Sequence, residues 1–490
     1  MGESRSRDLS YVCLKVMPQT IIGLIPSGIY YGWGALSESI NEVFSPYHPH
    51  EFKNQHGTFA GVIILALSVS LALPLRILLD KKFITEFTLQ AIGLSLITIG
   101  LFLGGISVQF KILWLLYIGC AVPCGLGAQC VFLRIVFSHQ LWFKRINYQN
   151  FGSGLFGFII GIWAAFFFLI SVPLEANLRL YSILYIYSAI AFISVLYPLL
   201  NIDDNSLIEK PSAIPTKEDS IIASNDIELT TVSTTVESKG SDEQYKVIED
   251  NAESPENEEI ELSYSELLVL PQMWILFFFF AAVLTPGWGI KLSFISMLRV
   301  LYNATPSFSA SMTAIYVIIY AFGRFFSGIL ADYIGVLRTF DLMLIIKIII
   351  LIAVPQVTTY LPRDGQNTEG CTIFITLICI LGLMYGGSKA LFYSIIFDVF
   401  GKVNYKVAFS ISFKGFGLSV IIGGITSAYS FSETLSPGQT EGEVAAAITR
   451  TSSEWFYSMA AGMLIGLVLL HSIKPVDYNE ILKNRIESRK

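Results

Sequence analysis

Charged residues are scarce in this chain: Asp, Glu, Lys and Arg make up 14% of its 490 residues, and hydrophobic residues make up 53%. A soluble domain carries about a quarter charged residues, so the composition argues against a water-soluble protein. The apolar runs reach the roughly 20 residues that a helix needs to cross a bilayer. They lack the two-residue alternation of membrane β-strands. We therefore predict an all-α membrane protein, because a helix satisfies its own backbone in lipid.

Motifs for catalysis or metal binding are also missing. The six cysteines show no metal-ligand spacing, and no hydrolase or kinase constellation occurs. We predict no enzyme activity, no metal site and no cofactor. His48, His50 and His56 share one predicted outer loop, and we favour a solvated polar loop over a metal site there. Nucleic-acid binding is not expected, because no basic stripe lies outside the apolar runs.

The apolar runs are arranged as six, a polar segment and six more, which is the layout of a transporter with two halves. The twelve predicted spans lie near 16–37, 57–79, 84–105, 112–137, 151–172, 180–200, 268–297, 309–331, 338–360, 371–397, 405–430 and 453–473. The predicted regions are an N-terminal tail 1–15, a first half 16–200, a linker 201–265, a second half 266–473 and a C-terminal tail 474–490.

The polar segment 201–265 holds 17 acidic residues and 4 lysines. Such a segment buries too little apolar area to offset its ordering entropy, so we predict a disordered cytosolic linker. The short loops on one side of the membrane carry more Lys and Arg than those on the other, which places both termini in the cytosol. Whether the membrane is the plasma membrane or that of an organelle is left open. We expect the chain to function as a monomer.

Three pairs of short motifs recur between the halves in the same order, which indicates an internal duplication. A duplicated transporter places its substrate site between the halves, near the middle of the bilayer. The pairs, separated by 255, 252 and 257 residues, are Trp33 with Trp288, Asp80 with Asp332, and Tyr148 with Tyr405.

The segment Gly328–Gly335 resembles the signature loop of the major facilitator superfamily. Its glycines allow close helix approach, and Asp332 is placed to cap a helix N-terminus or pair with a base. Tyr333 stands where that signature usually has a base. The matching first-half loop keeps Asp80 but lacks both glycines. We assign Gly328, Asp332, Gly335 and Asp80 a gating or structural role.

Ionisable residues inside the predicted spans are all basic, whereas the acids lie near span ends. A charge at mid-membrane costs about 2.5–3.5 kcal/mol, so such residues are candidates for function. A cationic interior without acids needs an anion from elsewhere, and a substrate is the natural source. The bases are Arg134, Lys291, Arg324, Lys347, Lys389 and Lys414.

Position along the runs separates these bases. Arg324 lies about two turns before Asp332, and Lys414 lies well inside its span between Phe413 and Gly415, so these two are the strongest candidates for substrate binding. Lys291 and Lys389 sit mid-run beside small residues, where a cavity role and a structural role fit equally. Lys347 is given little weight, because it can snorkel or face a neighbouring backbone.

Four segments resemble the oxalate:formate antiporter family, with the monocarboxylate porters as close relatives: Gly28–Trp33, Trp142–Arg145, Gly323–Gly328 and Asp398–Gly417. The resemblance covers both halves but not the linker or tails.

The resemblance implies that Arg324 and Lys414 bind substrate carboxylates and that Tyr31 and Trp33 help line an aromatic cavity wall. The chemistry agrees, since arginine offers a planar fork to a carboxylate and lysine a point charge. Arg134 is similar to the membrane-embedded arginine of fourth helices in such carriers, with a gating or structural role.

The leading hypothesis is an alternating-access transporter of small mono- or dicarboxylates, such as oxalate, formate, pyruvate or lactate. Its partners would be the carboxylate, the lipid bilayer, and a proton or a counter-anion. Proton coupling is less obvious than exchange, because no acid lies deep in a span and the five histidines fall in loops or near span ends. One alternative is a carrier of the same fold for another metabolite, such as an amino acid. The other is a transporter-like receptor that signals through 201–265.

Overall fold

A computed structural model describes residues 8, 10–48, 55–146, 148–200, 260–360, 368–431, 441–479 and 481. The chain divides into two compact units, and the first of them, Met1–Ile202 with Ile260–Val476, contains every helix discussed below. The second unit comprises Asp203–Glu259 and Asp477–Lys490. The acidic linker predicted over 201–265 therefore lies outside the described residues as far as residue 259.

Twelve helices of the described chain are long and apolar enough to cross a membrane, which confirms the predicted all-α, multi-pass architecture. They are α1 (Val12–Tyr31), α2 (His56–Asp80), α3 (Glu86–Phe110), α4 (Leu115–Val136), α5 (Phe151–Asn177), α6 (Leu180–Tyr197), α7 (Pro271–Tyr302), α8 (Pro306–Ile334), α9 (Val336–Thr359), α10 (Glu369–Gly401), α11 (Val403–Ser430) and α12 (Ala446–His471).

Capping residues set the ends of several of these helices. Thr305 caps α8 by accepting a hydrogen bond from the Phe308 backbone at 3.3 Å, and Pro306 occupies the first turn, where its missing N–H costs nothing. The same helix ends at Gly335, whose φ of 89° suits glycine. A short helix, Gly34–Phe44, continues α1, and another, Tyr264–Val269, precedes α7.

A single glycine separates α10 from α11. Helical geometry runs from Thr368 to Ser430 except at Gly401, where φ is 64° and ψ is −172°. Residues with a Cβ rarely adopt these angles, so the chain turns between the two spans at the one position that tolerates them.

Small residues bring a helix of the first half against a helix of the second. On α5, a Cβ added to Gly154 would lie 2.7 Å from the Arg324 carbonyl oxygen, and one added to Gly157 would lie 2.6 Å from Arg324 Cδ. Only glycine allows this approach, which is how membrane helices commonly pack. The contact places Arg324 of α8 in the interior, between the halves.

Candidate functional site

Three buried bases of the second half surround one tyrosine of the first half. The Tyr31 ring centroid lies 4.2 Å from Lys389 Nζ, 4.4 Å from Lys291 Nζ and 5.8 Å from Arg324 Cζ. The bases come from α10, α7 and α8, and each lies near the middle of its span. We call Lys291, Arg324 and Lys389 the base cluster.

Each lysine of the base cluster is nearly inaccessible to solvent and is held by aromatic rings. Lys389 is 7% exposed and donates a hydrogen bond to the Tyr31 hydroxyl at 3.0 Å. Its Nζ also lies 4.3 Å from the Trp288 ring and 4.2 Å from the Phe416 ring. Lys291 is 5% exposed, and its described contacts are with rings only. Such contacts offset part of the cost of burying an ammonium group.

Arg324 is the most deeply buried member of the base cluster, with 2% exposure. Nη1 donates to the Gly157 carbonyl oxygen at 2.6 Å, and Nη2 donates to the Tyr320 hydroxyl at 3.3 Å. Its Nε is buried and finds no hydrogen-bond partner among the described residues. The guanidinium is therefore oriented by two groups and still has a donor to offer.

Excess positive charge is the main electrostatic feature of this region. Across the described part of the chain, no base-cluster side chain forms an ion pair. Like charges repel more strongly in a low-dielectric interior than in water, and each desolvated ion costs several kcal/mol. A small anion bound among the three bases would relieve both costs.

A small cavity adjoins the bases. It measures about 10 Å³ and is lined by Arg324, Lys389, Tyr31, Phe132 and Tyr393, among others. That is about the room one water molecule needs, so the lining must rearrange to admit a larger ligand. The arrangement can bind a small, negatively charged molecule between charged and aromatic walls.

Two of the residues predicted to bind substrate lie elsewhere. Lys414 is half-buried on α11 and does not line this space. Gly417, one turn further along α11, packs beside Ala66 of α2. Trp33 is fully buried, and its Nε1 donates to the Gly57 carbonyl oxygen at 2.9 Å, away from the base cluster.

Arg134 is tied to the neighbouring helix α3. Its Nε lies 3.4 Å from a Glu86 carboxylate oxygen, and Nη1 donates to the Gln90 side chain. The residue is 9% exposed. Unlike the base cluster, this buried base has both a carboxylate and an amide as partners.

The two aspartates among the predicted gating residues, Asp80 and Asp332, lie near helix ends. Asp80 pairs with Arg76 and accepts a hydrogen bond from the Tyr264 hydroxyl at 2.8 Å, which joins the end of α2 to the segment before α7. Burial, and then Asp80 as hydrogen-bond acceptor and negative charge, raise the pKa of Tyr264 to about 12, so its hydroxyl keeps the proton it donates. Asp332 is exposed near the end of α8.

The two signature glycines have different surroundings. Gly328 packs beside Gly154 of α5, where the halves meet. Gly335 has open space around it, so its positive φ rather than close packing favours glycine there.

At the opposite end of α2 and α7, a second set of contacts joins the halves. Arg299 of α7 lies 2.5 Å from a Glu38 carboxylate oxygen and 3.7 Å from one of Glu42. Both glutamates lie on the helix that continues α1. The halves are thus linked by polar contacts at both ends of the bundle.

Sequence reasoning missed the roles of Trp288 and Tyr320 in this region and gave Lys347 little weight. Trp288 and Tyr320 line the base cluster, although Trp288 stood in the repeat motif and offered a signal. Lys347 of α9 is fully buried, donates to the Ser388 hydroxyl at 2.6 Å and lies 4.7 Å from the Tyr385 ring. His139 lies three residues beyond the end of α4, near a span end as predicted, and it is buried beside the Gly152 carbonyl oxygen.

Comparison with known proteins adds the fold. No family model matches the chain, and no curated protein matches it. Among solved structures, a bacterial homologue of the iron transporter ferroportin in an outward-facing state matches with a TM-score of 0.54 and 11% identity, over 94% of this chain and 99% of that one. The same homologue soaked with iron matches with a TM-score of 0.53 and 12% identity, over the same shares of both chains. The E. coli fucose:proton symporter FucP gives a TM-score of 0.47 and 14% identity over 93% of this chain and 98% of that one.

At these identities the likeness concerns the fold alone. Together with the twelve helices, it confirms the predicted major facilitator fold.

Proposed function

We propose that this chain, which has the major facilitator fold, is a secondary transporter of small organic anions that carry a carboxylate. The observation that supports this most is the base cluster, three buried cations around Tyr31 that form no ion pair within the described chain. A carboxylate is the expected ligand because Arg324 offers a directional donor and the lysines offer point charges.

Alternating access follows from the same charges. With the site empty, three desolvated cations oppose close packing of the halves around them. A bound anion lowers that opposition, so the loaded carrier passes more easily through a closed state than the empty one. The polar contacts at the two ends, Arg299 with Glu38 and Asp80 with Tyr264, would break in turn as each side opens. This behaviour favours exchange of one anion for another.

Other substrates are less well supported. The base cluster would repel a metal cation, so the iron named for the matched bacterial structures is not proposed here. An amino acid needs an acid for its amine, and no described contact of the base cluster supplies one. Signalling through 201–265 has no support in the described residues. The role of Lys414, the cytosolic termini and the choice between exchange and proton coupling stay predictions.

Uptake into liposomes tests the function. We expect purified full-length protein to take up a labelled monocarboxylate such as lactate or a dicarboxylate such as oxalate, and unlabelled anion inside to speed uptake. Neutral fucose and ferrous iron serve as matched controls and should not enter. Uptake of fucose or iron without uptake of any carboxylate would refute the proposal.

A further inference from the structure

Tyr31 contacts the second half from the point where α1 ends. The helix stops at Tyr31, and a new one begins at Gly34 and carries Glu38. The Tyr31 ring stacks on that of Trp288, with centroids 5.7 Å apart, and its hydroxyl accepts a hydrogen bond from Lys389 Nζ at 3.0 Å. Both partners belong to the second half. Tyr31 therefore joins the halves at the base cluster, between the polar contacts at the two ends of the bundle.

The Tyr31 hydroxyl is the one oxygen that the described residues offer to Lys389. The other described contacts of Lys389 Nζ are with the rings of Tyr31, Trp288 and Phe416. Ring faces offset only part of the cost of desolvating an ammonium group, and a hydrogen-bond acceptor offsets more of it. The hydroxyl thus gives Lys389 the kind of partner that a bound carboxylate would otherwise supply.

A second tyrosine makes the same kind of contact within one half. Tyr320 accepts a hydrogen bond from Arg324 Nη2 at 3.3 Å, and both residues lie on α8, four positions apart. That contact does not depend on how the halves are placed relative to each other. The contact of Lys389 with Tyr31 does, because it forms when the halves come together and breaks when they separate.

We propose that Tyr31 is an internal substitute for the substrate carboxylate while the anion-free carrier returns across the membrane. This inference rests on the proposed function. In the anion-free carrier the desolvated bases oppose closure, and the Tyr31 hydroxyl lowers that cost by accepting a hydrogen bond from Lys389. In the loaded carrier the carboxylate takes that place. Return without substrate therefore depends on Tyr31 more than exchange does, and the chain carries out net transport as well as exchange.

Transport by the purified full-length protein in liposomes tests this inference, with labelled lactate and labelled oxalate as probes. Net uptake is measured into liposomes that contain neither anion, and exchange is measured with the unlabelled anion inside. Tyr31→Phe keeps the ring and removes the acceptor. For each anion that enters, it should lower net uptake about tenfold or more relative to exchange, the loss expected for one hydrogen bond from a charged group.

Tyr320→Phe is the matched control, because it removes a hydroxyl that accepts from a base on the same helix. A contact that is equal in every state shifts no equilibrium between states, so the ratio of net uptake to exchange should stay within about twofold of the parent. Equal ratios in both variants and the parent would overturn the inference and leave the anion carrier standing. A higher ratio in Tyr31→Phe would do the same.

Hydrogen–deuterium exchange gives a readout that needs no transport. It is followed over residues 34–44 and 264–269, at the two ends where the halves meet. In anion-free buffer, Tyr31→Phe should exchange about tenfold faster than the parent at one end or both. The transported anion at saturation should remove that difference, because it replaces the lost acceptor.

The outcomes separate the two proposals. Unchanged hydrogen–deuterium exchange in anion-free buffer, or a difference that the anion does not remove, would overturn the role of Tyr31 alone. Failure of the parent protein to take up any carboxylate, in either mode, would overturn the proposed function and this inference with it.

Discussion

Arg134, a buried base of the first half, lies near the end of α4 beside Glu86 and Gln90 of the adjacent helix. In the second half, Arg324 lies near the middle of α8 and contacts a carbonyl oxygen, a tyrosine hydroxyl and aromatic rings, with no acid among its described partners. The halves repeat each other in helix number and motif order, yet only the second contributes cations to the cavity. The first-half residues that line the cavity, apart from Tyr31, are apolar or bear neutral hydroxyl groups.

This difference shows how a duplicated scaffold acquires an asymmetric site. A buried arginine with an acid beside it is a structural element, because its charge is already compensated. A buried arginine without one leaves a charge for a ligand to compensate. For these two arginines, the presence or absence of a neighbouring acid therefore separates the structural residue from the proposed binding residue.

The largest expected effect comes from removing the uncompensated arginine. Arg324→Gln should reduce carboxylate uptake about 10- to 150-fold, because a hydrogen bond from a charged group contributes about 1.5–3 kcal/mol. Arg134→Gln, the matched change in the first half, should keep uptake within about threefold and lower the melting temperature, since Glu86 loses its base. Uptake in liposomes and thermal unfolding measure the two effects. Equal loss of uptake in both variants would remove the distinction between the halves.

A smaller effect is expected where the halves meet at the Arg299 end. Glu38→Gln removes one partner of an ion pair whose side chains are both 26% exposed. Such a pair stabilises the closed arrangement by about 1 kcal/mol or less, so the equilibrium constant for opening at this end should increase by up to about fivefold. Hydrogen–deuterium exchange over residues 34–44 measures it.

Glu454→Gln is the control for that exchange experiment. It breaks an ion pair with Arg450 in which both side chains are largely exposed, within the single helix α12. It should leave exchange over residues 34–44 unchanged. Unchanged exchange in Glu38→Gln as well would mean that the Arg299 contact does not hold this end closed.

The helix count and the major facilitator fold could be predicted from the sequence because both depend on long apolar runs and motif order. The same runs revealed the depth of each base, which was enough to select Arg324, Lys291 and Lys389 for consideration. The position of a residue along its span does not show which face of the helix its side chain occupies. On α11, Phe413 lines the cavity and Phe416 contacts Lys389, whereas Lys414, about 100° around the helix from Phe413, does not line the cavity.

Duplication creates a related ambiguity. Trp33 and Trp288 occupy matching motif positions, but Trp33 donates to a backbone carbonyl within the first half and Trp288 contacts Lys291 and Lys389. The motif alone predicts two equivalent tryptophans. Which one lines the site depends on packing with residues distant in sequence, which no local pattern contains.

The most direct test of the account compares two buried lysines that differ in location. The Lys291 ammonium lies 4.4 Å from the ring of Tyr31, a cavity residue, whereas Lys347 is as deeply buried but contacts Ser388 and Tyr385 of α10. Replacing either lysine by methionine removes the charge and keeps a side chain of similar volume. For the Lys291→Met variant, we predict carboxylate binding by calorimetry weaker by about tenfold or more, which corresponds to 1.4 kcal/mol. For Lys347→Met, we predict binding within about twofold of the parent and equal or greater stability. Equal weakening by both variants, or no weakening by Lys291→Met, would contradict the claim that the base cluster binds the anion.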